Sequence, residues 1–231
     1  MSGLSGAMLL IADGRTPSGS HAHSGGVEMA VAARRITDLT SLEDFLRGRL
    51  STAGLVAAAF AAASCAAGWS TDRDGARQAW DALDEAFDAR TPAAAQRQVS
   101  RALGKALQRL ARQAFVGSAT GMPALSRDDP HHPIAFGALC ARARGTPRDA
   151  AQLAAYQAVS GPASAAVRLL GLDPYAVTGV LVRLADQVDA VADEACVNAA
   201  SELDELPACS AAVLDEDAER HQYSEVRLFA S

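Results

Sequence analysis

The chain has 231 residues, 49% of them apolar and only 5% aromatic, and a formal net charge of −6. That is enough apolar length for one sizeable core, and the acidic balance argues against a nucleic-acid binder, which carries a basic patch or stripe. Cys65, Cys140, Cys196 and Cys209 include no C-x-x-C pair, so neither a zinc site nor a disulfide framework is expected and the thiols read as reduced.

Alanine is abundant and alternating β-branched runs are missing, which predicts an all-α fold: one domain over residues 1–231, a bundle of about eight to ten helices with a Gly-rich N-terminal loop and a short extended C-terminal tail at residues 223–231. The N-terminus has no basic region followed by a long apolar core, so no signal peptide is expected. Met8 opens a short apolar helix, and residues 13–26 then read DGRTPSGSHAHSGG, a loop by composition. Ser24 is placed to cap the next helix, with Glu28 in its first turns where the helix dipole favours a carboxylate. A helix from Ser41 continues into residues 50–71, which carry no charge. Their length could span a bilayer, but Ala, Gly, Ser and Thr dominate, so a buried core helix is expected and no membrane association.

Helices are expected next at residues 73–89 and, from Pro92, at 92–115. In the latter, Val99, Leu103, Ala106, Leu107, Leu110 and Ala114 form one apolar stripe. The opposite face carries Arg97, Arg101, Lys105, Arg109 and Arg112, with no acid between Asp88 and Asp128. Like charges four apart disfavour a helix mildly, so this is either a solvated face or one answered by acids, within the chain or on another protein. After a loop at 117–130, helices are expected at 131–144, at 147–171 with a kink or break at Gly161-Pro162, and at 174–197. Eleven acids and no base occupy residues 186–219.

No phosphate-binding G-x-x-x-x-G-K-[ST], no G-x-S-x-G and no H-E-x-x-H is present. The glycines at 19–26 precede a helix but follow no strand and come with no Lys, so a packed interface turn explains them as well as a phosphate cradle does. The pairs His21/His23 and His131/His132 could ligate a metal only if they converged on it; a polar helix start, or structural and interface use, is the simpler reading. No catalytic residue, metal site or cofactor is assigned.

Five stretches in fixed order carry a family resemblance. They are Leu10-Ile11-Ala12-Asp13 with Pro17-Ser18-Gly19-Ser20-His21-Ala22-His23-Ser24-Gly25-Gly26-Val27-Glu28; the basic helix from Arg101 to Leu110; His131-His132-Pro133-Ile134-Ala135-Phe136-Gly137; Ser160-Gly161 with Ser164-Ala165-Ala166-Val167-Arg168-Leu169; and Ser224-Glu225-Val226-Arg227-Leu228-Phe229-Ala230-Ser231. Together they resemble the UreF family of urease accessory proteins. His21 stands where that family has Phe, and Leu172-Asp173-Pro174 where it continues Leu-Gly-Gln. The resemblance implies a cytoplasmic, non-enzymatic, all-helical homodimer that acts in urease maturation. It would bridge a nickel-carrying GTPase (UreG-like) and a scaffold (UreH/UreD-like) docked on the urease apoprotein, and regulate GTP-dependent nickel delivery. It also implies that Asp13, His23 and Glu28 face the GTPase or line a nickel passage, and that Arg227, Leu228 and Phe229 dock on the scaffold as the tail orders. On its own, a tail with so little core-forming length is expected to be poorly held. Two readings of another class stand beside this one: a metal-dependent hydrolase using the paired histidines, and a helical ligand-binding regulator with a deep apolar pocket.

Overall fold

The computed structural model describes residues 5–13, 16, 22–115, 124–199, 201–209, 211–224 and 228–230. The described residues are all-α, as the composition predicts. The helices are α1 (Gly6–Ala12), α2 (Val27–Ala32), α3 (Leu39–Gly68), α4 (Arg73–Ala89), α5 (Ala94–Ala114), α6 (His132–Arg142), α7 (Pro147–Leu170), α8 (Pro174–Arg183), α9 (Ala185–Ala199) and α10 (Ala212–His221), with a 3-10 turn at Leu203–Glu205.

The uncharged stretch is the centre of the molecule. α3 runs unbroken for 30 residues, through a π-helical segment at Leu50–Gly54. It is the one helix among the described residues long and apolar enough to cross a membrane. Its second half is buried on almost every side, from Leu55 and Val56 through Phe60 to Cys65. A helix that is apolar all round must be enclosed, and here α4, α6, α7 and α9 enclose it. Small residues set how close they come: a methyl group on Gly137 of α6 would overlap the Ala61 carbonyl oxygen of α3. Buried polar atoms are paired across these contacts, Ser64 Oγ donating to Ile134 O at 2.7 Å and Trp80 Nε1 to Ser64 O at 2.9 Å.

Local signals place most boundaries. Thr146 and Asp149 form a capping box ahead of Pro147, Pro174 sits in the first turn of α8, and Gly171 ends α7 in the left-handed region. Two sequence expectations are corrected, at 174–197 and at Pro162. The helix expected over 174–197 is two, divided at Leu184, where the chain turns so that Val180, Leu184 and Val188 are all buried. A short helix, α10, forms inside the acidic stretch, buried on one face through Leu214, Asp217 and His221.

Pro162 does not break α7, which is helical throughout Pro147–Leu170. Proline removes the N–H that would serve the carbonyl four residues earlier, Ala158. Arg49 supplies a donor in its place, its Nε giving a 3.0 Å hydrogen bond to Ala158 O. The helical run continues past Pro162 while a side chain 109 residues away satisfies the freed acceptor.

Candidate functional site

Among the described residues, parts of the Gly-rich loop, α7 and the tail meet. The Gly-rich loop is first. Gly25 and Gly26 have φ of +63° and +93°, which a side chain disfavours. Space forbids one as well: a Cβ on Gly25 would sit 2.8 Å from Pro162 Cγ and 3.5 Å from Arg49 Cζ. The loop is thus seated on the proline of α7 and the arginine that caps its freed carbonyl. Ser24 is buried, and its Oγ accepts from Glu28 N at 3.3 Å, a cap one turn into α2.

Glu28 does not simply answer the helix dipole. Its carboxylate accepts from Leu228 N at 2.6 Å and Phe229 N at 3.3 Å, and lies 2.8 Å from His221 Nε2. Ala230 N donates to Ala22 O at 2.7 Å. Phe229 is 5% exposed, with the Arg168 guanidinium 4.5 Å above its ring, while Leu228 stays 64% exposed. The expectation of a poorly held tail is corrected for residues 228–230. Burying a Phe side chain contributes ~1.5–3 kcal/mol before ordering costs, and hydrogen bonds to a charged acceptor add ~1.5–3 kcal/mol each. Arg227 and His21 lie outside the described residues.

Asp13 caps the end of α1 through its backbone, which donates to the carbonyls of Leu9 and Leu10. His23 is half-buried and close enough to His132 to influence it. Desolvation, with His23 adding to it, pushes the His132 pKa down to about 4, so its imidazole is neutral at pH 7. The ring stacks on Phe136, centroids 5.6 Å apart. His131 turns elsewhere and is fully buried. Its Nε2 is 2.9 Å from Asp88 Oδ1 and its Nδ1 3.1 Å from Ser100 Oγ. Burial lowers its pKa against the pull of Asp88. The neutral ring therefore donates from Nε2 to Asp88 and accepts the Ser100 hydroxyl at Nδ1. The convergence that a metal-dependent hydrolase needs is not found among the described residues, where no three His, Cys, Asp or Glu side chains are grouped to hold a metal.

Acids within the chain answer much of the basic face of α5. Arg101 bridges Asp84 at 3.1 Å and Asp88 at 2.8 Å, Arg127 reaches Asp84 at 3.3 Å, and Arg112 reaches Asp128 at 3.1 Å. Asp84 is 2% exposed and also accepts from His131 N at 2.6 Å. Burial opposes the ionisation of Asp88, but hydrogen bonds from Arg101 and His131 outweigh it and hold the carboxyl below its usual range. Sequence reasoning missed Arg49 and His221, neither of which carries a local signal.

A cavity of about 530 Å³ opens where these pieces meet, lined by Gly25, Arg49, Arg90, Ser100, His132, His221 and Ala230 among others. A family model described as UreF matches residues 36–185. The urease accessory protein UreF of Mycobacterium sp. (strain JLS) is 42% identical over 224 residues, 97% of each chain. The protein of the same name from Mycobacterium marinum is 40% identical over 226 residues, 97% of this chain and 98% of that one, and the one from Mycobacterium tuberculosis (strain H37Rv) is 38% identical over 224 residues, 97% of each.

Proposed function

Since the chain belongs to the UreF family of urease accessory proteins, with a role in urease maturation, we propose that it works as a bridge with no chemistry of its own. It joins a nickel-carrying GTPase to a scaffold docked on the urease apoprotein, as a cytoplasmic homodimer, and regulates GTP-dependent nickel delivery. The observation that carries this reading is the hold on the tail: its backbone is bound by the Glu28 carboxylate just after the Gly-rich loop, and its Phe229 ring lies under Arg168 of α7. Three family stretches far apart in the chain build one surface there.

In this reading Leu228 is the apolar contact offered to the scaffold, because it is exposed beside a tail that is otherwise held. Arg227 and Phe229 complete the docking segment, Phe229 by fixing the tail's course. Asp13 and His23 belong to the GTPase-facing side, and Glu28 acts through the tail it holds.

Size-exclusion chromatography of the chain with its scaffold and GTPase tests this. A three-component complex is expected, and deletion of residues 227–231 should remove the scaffold while leaving helicity unchanged. A full-length chain that binds neither folded partner overturns the bridging role. A truncated chain that still carries the scaffold overturns the part given to the tail.

A further inference from the structure

The cavity beside the tail contains a charge that the fold does not balance. Arg49 leaves the α3 backbone just before the π-helical segment and gives its Nε–H to Ala158 O. Its two Nη groups have no hydrogen-bond or ion-pair partner among the described residues. Desolvation alone pushes its guanidinium pKa down to about 10, so it remains a cation. Arg90, on the same cavity wall, gives Nη1 to Ala86 O and Nη2 to Leu203 O, but its Nε is buried with no acceptor. Arg49 is half-buried on the cavity wall, so its unpartnered Nη groups are open to an anion that enters the cavity.

The acids on the cavity wall are committed or remote from Arg49. Asp217 is ion-paired with Arg35. Burial raises the pKa of Asp215, and a backbone hydrogen bond from Ala93 and the charge of Glu219 are its other influences. The titratable rings in the lining add no anion, since His132 is neutral and His221 is bound to Glu28. Much of the remaining wall is apolar: Val56, Phe87, Val99, Leu103 and Leu214. The volume lies within the range of small-molecule pockets, ~300–1,000 Å³, in which an apolar lining is joined by a few placed polar groups.

We propose that this cavity binds a small amphiphilic carboxylate, its headgroup paired with the Nη groups of Arg49 and its aliphatic body against Val56, Phe87, Val99 and Leu103. A carboxylate is the fitting anion because two oxygens match the planar fork of one guanidinium. This site is separate from the docking role and stands or falls independently of it.

Octanoate is the probe, titrated into the full-length chain by calorimetry, with acetate and octylamine as controls. Octanoate is expected to bind with a millimolar or tighter Kd and raise the Tm, while acetate and octylamine bind at least about tenfold more weakly. Arg49→Gln should weaken octanoate by at least about tenfold. Because that change also uncaps Ala158 O, Leu103→Trp provides a second variant, which fills the apolar end and leaves Arg49 in place, and it too should lose binding. No octanoate binding to the wild-type chain up to about 10 mM overturns the site, as does equal affinity for octylamine. Undiminished affinity in either variant with wild-type helicity also overturns it.

Discussion

Two histidine–carboxylate contacts in this protein have nearly the same length and opposite character. His131 meets Asp88 at 2.9 Å, inside a cluster whose members all lie on α4, α5, the start of α6 and the loop before it. His221 meets Glu28 at 2.8 Å, but the other groups on that carboxylate are backbone N–H groups of the tail, 200 residues away in sequence. In the first cluster the buried Asp84 carboxylate serves Arg101, Arg127 and the His131 amide at once, so its loss deprives three donors of one acceptor. In the second, a short segment is held by a few bonds and one aromatic ring, and it can open locally while the core stays folded. The difference separates a side-chain cluster set between helices from a terminal segment held mainly through its backbone.

The largest test of that contrast is Asp84→Ala. It strips Arg101, Arg127 and the His131 amide of one buried acceptor and should cost ~3–5 kcal/mol in denaturant unfolding; a loss near zero would erase the distinction. Glu28→Ala should cost less, ~1–3 kcal/mol, and should act locally. Hydrogen exchange at the Leu228 and Phe229 amides is expected to accelerate by more than about tenfold while α6 amides keep their protection. Loss of protection in both places would make the clasp part of the core.

A smaller effect sharpens the comparison through pH. His132 has a folded pKa of about 4 against an ordinary imidazole value of 6.5, so the unfolded chain takes up the proton first. Its stabilising contribution is full above pH 6.5 and is lost as pH falls toward 4. His132→Phe keeps the stack on Phe136 and should flatten the Tm profile across that window, whereas the depressed carboxylate of Asp88 acts below it. The smallest change is expected at an exposed position of the basic face. Lys105→Gln, exposed and outside the Asp84 cluster, should stay within about 0.5 kcal/mol of wild type.

Much of this was legible in the residues. The apolar stripe of α5, the uncharged core helix and the prolines at helix starts are short-range patterns, and they mark helices wherever the rest of the chain goes. The Gly-rich loop and Glu28 could be singled out, but their use could not be read. Glu28 looks like a first-turn acid until the tail arrives at it, and Pro162 looks like a helix breaker until Arg49 caps the carbonyl it frees. The basic face left three answers open, and Asp84, Asp88 and Asp128 chose much of the outcome.

The sequence by itself determined the helical class, most helix boundaries and the family, because periodicity, caps and residue order act over a few positions or along the chain. Only the tertiary structure decided which charges are satisfied, where the tail lies and which cation is left facing a cavity. Those outcomes depend on partners 13 to 201 residues apart, and desolvation gives a charge its energetic weight only once the surrounding helices have closed over it.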